Sequence, residues 1–114
     1  MTRRKVVVVG GGAMGSSTAW HLASRGAEVT LLEQFAPGHD RGSSHGSSRI
    51  FRLAYADPFY VGLAARALPL WRRLEDETGS TVLTLTGAVD HGPAQATAAL
   101  RDALRGAGRP SQKL

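Results

Sequence analysis

Lys5-Val6-Val7-Val8-Val9-Gly10-Gly11-Gly12-Ala13-Met14-Gly15 is the stretch whose reading decides the fold. A β-branched run with apolar side chains on both faces predicts a strand buried in a parallel sheet. Gly10-x-Gly12-x-x-Gly15 follows at once. Ser16 to Arg25 then has helical periodicity, with Ala19, Leu22 and Ala23 on one face and Gly26 as the stop. Glu28 to Leu32 reads as a second strand and Glu33 ends it. This β-turn-α-β order predicts an α/β fold, a Rossmann-like unit for FAD or NAD(P) that is incomplete.

Each glycine in the turn has a mechanical task in such a unit. Gly10 permits the tight exit from the strand. Gly12 has no side chain, so a pyrophosphate can approach the backbone. Gly15 lets the helix pack close to the sheet. The exposed N–H groups at the helix's start then face the phosphates, with the positive end of the helix dipole behind them, and Ala13 and Met14 of the turn join the cofactor-binding residues. Glu33, eighteen residues past Gly15, is placed to accept hydrogen bonds from a ribose diol and to disfavour the 2′-phosphate of NADP. The turn alone does not choose between FAD and NAD.

Composition narrows the alternatives. The 114 residues suffice for one small domain, and 42% hydrophobic with 20% charged residues is an ordinary globular balance. The 14 glycines lie mostly before residue 47, which points to backbone-mediated binding. A net charge of +5 invites a nucleic-acid reading. The arginines are scattered, however, and no basic helix interleaved with aromatics or zinc-finger spacing is present, so a solvated basic surface is the better account. There is no cysteine, hence no disulfide or thiolate metal site. His21, His39 and His91 lack metal-ligand spacing and receive no role. The apolar run after Lys5 is too short for a signal peptide, no stretch approaches a membrane span, and Gln112-Lys113-Leu114 is not a peroxisomal address. A soluble, cytoplasmic protein with no membrane, nucleic-acid or protein partner is the expectation.

Downstream, the sequence predicts a loop over 34–56, rich in Gly and Pro. Asp57-Pro58 is an N-cap followed by proline at the first helical position. Phe59, Leu63, Ala67, Leu70 and Leu74 mark the apolar face of the ensuing helix, with Trp71 packed in the core and Arg66, Arg73 and Glu77 opposite. Pro69 should kink or split it, and Gly79 should close it. Residues 81–85 and 88–91 flank Thr86-Gly87 as a short β-hairpin, 93–104 form a further helix, and 105–114 form a frayed tail.

The segment Gly42-Ser43-Ser44-His45-Gly46-Ser47-Ser48-Arg49-Ile50-Phe51-Arg52-Leu53-Ala54-Tyr55 carries a resemblance. It is similar to the G-S-S-H-G-x-x-R-I-x-R-x-A-Y pattern of the monomeric sarcosine oxidase and N-methyltryptophan oxidase group, within the D-amino-acid-oxidase-like flavoproteins. The likeness continues through Tyr60-Val61, Leu63-Ala64, Leu70-Trp71, Leu74-Glu75 and Thr86-Gly87, fading after Pro93. It implies FAD as cofactor and oxidation of the C–N bond of a secondary or N-methyl amino acid, with hydrogen peroxide released. It implies that Gly10, Gly12, Gly15 and Glu33 hold the ADP half of FAD, with Ser43 and Ser44 near its phosphates. His45 and Arg49 would lie against the flavin ring, and Arg52 would face the substrate carboxylate. That chemistry is reasonable: a fixed cation stabilises charge developing on a reduced flavin, and a guanidinium grips a carboxylate in two places.

Members of that group are several times longer. The resemblance therefore implies that most of the sheet, the substrate domain, a carboxylate-binding lysine and a flavin-tethering cysteine lie outside these 114 residues. A truncated or frameshifted reading frame is the expectation, with exposed sheet edges, marginal stability and no turnover by this chain alone. The competing reading is a non-catalytic NAD- or FAD-binding module; a redox-sensing NAD domain has no evident need for the cluster from Ser43 to Arg52, whereas a flavin site uses it.

Overall fold

The computed structural model describes residues 3–112 and divides them into two compact units, with the boundary after Arg49. In the first, β1 (Lys5–Val9), α1 (Ala13–Ser24) and β2 (Glu28–Leu32) follow in order. The strands are parallel, with Lys5 beside Glu28 and Val9 beside Leu32. This is the expected βαβ unit. Helix α1 begins at Ala13, three residues before the periodicity suggested. Gly12 already accepts the first helical hydrogen bond from Ser16, so close packing at Gly15 overrides the low helix propensity of glycine. The helix ends as predicted: Gly26 is left-handed at φ 84°, and the amides of Gly26 and Ala27 return to the carbonyls of Ala23 and Leu22.

The sheet is not buried on both faces. Val6, Val8 and Val29 are half-buried, whereas on the opposite face Val7 is 61% and Val9 81% exposed. One helix covers one face of a two-stranded sheet and no more.

The second unit packs α2 (Pro58–Thr78) against α3 (Ala94–Gly106), and Val61 and Ala103 are its buried residues. Asp57 caps α2 by accepting from the Phe59 amide at 2.9 Å, with Pro58 in the first turn. Pro69 lies inside α2 without splitting it, and left-handed Gly79 closes it at φ 67°. The inward face differs from the predicted one. Val61 is buried and Ala64, Ala65, Leu68, Arg72 and Glu75 are half-buried, a row that also recurs at helical spacing. Of the predicted stripe, Ala67 and Leu74 are half-buried, while Phe59, Leu63 and Leu70 are exposed, as is Trp71. Ala64 and Ala65 beside Val61 keep the inward row slim, and the bulkiest side chains stay outside.

Residues 81–85 and 88–91 form no hairpin. Glu75 accepts from the amides of Val82 and Leu83, each at 2.8 Å, and Arg72 donates to the Leu83 carbonyl at 2.8 Å. Side chains of α2 thus satisfy the main-chain groups that a hairpin partner would have used. Helix α3 runs two residues beyond its predicted end. Gly108, left-handed at φ 66°, and Arg109 return amides to Arg105 and Leu104, so the start of the expected tail is a helix cap. Residues 113 and 114 of that tail lie outside the described residues.

Candidate nucleotide-binding site

Gly11 and Gly12 of the turn between β1 and α1, Glu33 just after β2, and the loop that follows it line a cleft of about 300 Å³. Gly10 leaves β1 at φ 95°, a conformation that disfavours side chains, and its amide donates to the Leu32 carbonyl at 2.7 Å. Gly15 has no alternative. A Cβ there would sit 1.7 Å from the Gly10 carbonyl oxygen. The helix therefore starts directly against the strand's exit.

Two of the turn's amides meet side-chain oxygens. The Gly11 amide donates to Glu33 Oε2 at 2.7 Å, and the Ala13 amide donates to Ser44 Oγ at 3.0 Å. Cβ atoms on Gly11 and Gly12 would come within 3.2 Å of Glu33 Oε2 and 3.1 Å of Ser44 Oγ. Oxygen atoms already approach this backbone as closely as the missing side chains permit, which is the environment a phosphate or ribose oxygen requires. The glycine cradle fits the ADP part of a dinucleotide.

Glu33 is anchored on both oxygens. Its Oε1 accepts from the Phe35 amide at 3.0 Å and lies 3.4 Å from His39 Nε2. The Gly11 amide above all, then the Phe35 amide, hold its carboxyl below the ordinary value against the opposing effect of desolvation. It is an anion at neutral pH. A carboxylate offers about four acceptor positions, and the Gly11, Phe35 and Gln34 amides together with His39 surround this one.

Sequence reasoning passed over several residues of this site. Gly11 supplies an amide that was not singled out, although it lies within the turn. His39, given no role, faces Glu33, accepts from the Arg41 amide at Nδ1 at 3.0 Å and stands edge-on to Phe35. The Arg41 guanidinium stacks over Phe35 at 5.3 Å. Nothing in the spacing of these loop residues signals that wall.

The remaining predicted residues fall as follows. Ser43, Ser44 and His45 line the cleft. Arg49 Nη2 donates to the carbonyls of Ser43, at 2.8 Å, and His45. Met14 is in the first turn of α1, its side chain exposed and its carbonyl accepting from the hydroxyls of Ser17 and Thr18. Arg52 belongs to the second unit, where its guanidinium lies 4.8 Å from the centre of the Tyr55 ring. Ile50, Phe51, Tyr60 and Leu63 surround that pair in an open cavity of about 220 Å³. Among the described residues no cluster of three or more His, Asp or Glu could hold a metal, and no helix is long and apolar enough to cross a membrane.

The family model described as FAD dependent oxidoreductase matches residues 5–114. The chain belongs to that family. Among the chain's curated relatives, the monomeric sarcosine oxidase of Streptomyces avermitilis is 53% identical over 85 residues, 74% of this chain and 22% of the relative. The monomeric sarcosine oxidase of Bacillus sp. (strain NS-129) is 39% identical over 107 residues, 93% of this chain and 28% of the relative. The N-methyl-L-tryptophan oxidase of Yersinia pestis is 34% identical over 93 residues, 81% of this chain and 25% of the relative. The matched region spans about a quarter of each of these relatives.

Proposed function

We propose that the chain supplies the ADP-binding part of an FAD site in an enzyme that oxidises the C–N bond of secondary or N-methyl amino acids, sarcosine being an example. One observation carries the reading: the glycine turn, its Gly11 and Ala13 amides held to Glu33 Oε2 and Ser44 Oγ, borders a cleft lined by Gly11, Gly12, Glu33 and Ser44. The amides and the dipole of α1 bind the diphosphate, and Glu33 takes the ribose hydroxyls. FAD held there would supply a hydride acceptor for amine oxidation, with oxygen as the final acceptor and hydrogen peroxide as its product. His45 and Arg49 are assigned to the flavin ring on the resemblance of their segment. Arg52, its guanidinium held over Tyr55, is assigned to the substrate carboxylate.

The names of the relatives and the segment from Gly42 to Tyr55 support amine oxidation. The described residues assemble no complete reaction centre, so binding without turnover is expected of this chain. Equilibrium titration with FAD and with NAD, followed by flavin fluorescence and calorimetry, tests the reading. FAD binding that weakens about tenfold in Glu33→Gln, the loss of a charge-assisted hydrogen bond, supports it. NAD binding without FAD binding would assign the chain to a non-catalytic NAD module instead.

A further inference from the structure

The cap of α1 is supplied from far away in sequence. Gly12 occupies the N-cap position and has no side chain to offer. The hydroxyl that meets the first helical amide comes from Ser44, 31 residues beyond Ala13. Ser44 sits in a loop with no helix or strand of its own, so its position needs another cause. Arg49 provides one. A single guanidinium nitrogen, Nη2, donates to the carbonyls of both Ser43 and His45, the two residues flanking Ser44. The guanidinium also packs 3.5 Å from where a Cβ on Gly46 would lie, and Gly46 adopts φ 112°. The loop is thereby gathered around one cation, with the Ser44 side chain turned to the helix.

We propose that Arg49 is a positioning residue for nucleotide binding: it braces residues 43–45 so that Ser44 caps α1 remotely and offers its own O–H to the diphosphate. A hydroxyl has one donor and two acceptor positions. While accepting from Ala13 it still has a proton to give. A glycine at the N-cap keeps the backbone open to the ligand, and a serine carried on a braced loop restores the missing cap without closing the approach. The inference rests on the dinucleotide reading for its ligand, and on the loop contacts alone for the brace.

Amide hydrogen exchange at Ala13 in the nucleotide-free chain reads the brace; ADP titration reads its use. Three exposed-site variants are compared: Ser44→Ala, Arg49→Met, which removes the donors, and Arg49→Lys, whose ammonium can still serve both carbonyls. Exchange at Ala13 should quicken by roughly threefold to tenfold, the worth of one hydrogen bond, in Ser44→Ala and equally in Arg49→Met. Arg49→Lys should restore most of the protection. The amides of Val8 and Leu31, inside the sheet, report that each variant remains folded. ADP should bind about threefold to tenfold more weakly to Ser44→Ala and Arg49→Met.

Unchanged Ala13 exchange in Arg49→Met would overturn the brace. Tighter ADP binding in Ser44→Ala would show that Ser44 competes with the ligand and would overturn its donor role. Should Arg49→Met lose sheet protection, the graded pair Arg49→Lys and Ser44→Ala decides alone: unequal Ala13 protection is required, with lysine the better protected. Correct exchange results with no ADP or FAD binding to any variant would leave the brace standing and refute the dinucleotide reading.

Discussion

In residues 3–49 the chain is ordered by main chain meeting oxygen: strand carbonyl against helix start, Glu33 and Ser44 against the amides of the turn. In residues 50–112 two helices share a small apolar contact in which only Val61 and Ala103 are buried, with Glu75 and Arg72 holding the next segment by its backbone. Both units leave bulky apolar side chains exposed, Val7 and Val9 in one and Phe59 and Leu63 in the other. The first nevertheless presents a chemically specific cleft. A binding site of this kind is written into local backbone geometry, whereas a core needs partners that are distant in sequence.

The largest expected effect separates those two sources of order. Gly15→Ala places a Cβ 1.7 Å from the Gly10 oxygen. Relief requires backbone movement costing about 3 kcal/mol, the upper end for overpacking. Nucleotide binding should vanish in calorimetry, and a Gly15→Ala chain that binds ADP normally would break the comparison. Val61→Ala, which removes the one fully buried side chain among the described residues, should cost about 2 kcal/mol by the burial of two carbon groups. It should lower the thermal midpoint of the helical signal in circular dichroism. Gly10→Ala meets no neighbour within 4 Å, so only its positive φ opposes the substitution, at about 1–2 kcal/mol. A loss as large as that of Gly15→Ala would show that space, not conformation, also matters at Gly10.

The smallest expected effect sharpens the helical side. Arg72 foremost, then the amides of Leu83 and Val82, bring the Glu75 carboxyl down from 4.5 to about 2. A carboxylate with a depressed folded value adds stability that is fully present above the unfolded value and is lost as pH falls through the folded one. The clasp should therefore hold above pH 4.5 and open progressively toward pH 2. Loss of amide protection at Val82 and Leu83, relative to the intrinsic exchange rate at each pH, over that window and absent in Glu75→Gln, is the result to look for. Protection independent of pH in the parent chain would contradict it.

How much of this was legible in the sequence follows the same division. The strand, the glycine turn, the Gly26 stop and Glu33 could be read because each depends on neighbours within about thirty residues. The start of α1 was misplaced since its cap, Ser44, lies on another segment. His39 could not be read as a neighbour of Glu33, because the loop conformation that joins them has no periodicity. The inward face of α2 was misassigned for a related reason. Two rows of this helix have helical spacing, and the bulkier one drew the reading, whereas burial falls on the row through Val61, the alanines and Leu68. The supposed hairpin failed because Glu75 and Arg72, for which the sequence suggests no such contact, captured its backbone.

An amide-resolved NMR titration of the chain with FAD puts the glycine cradle most directly at risk. The account predicts saturable shifts concentrated at Gly11, Gly12 and Ala13, with the Phe35 amide responding through Glu33. Saturable FAD binding that leaves those amides unmoved, with responses gathered instead around Tyr55 to Leu63, would contradict it.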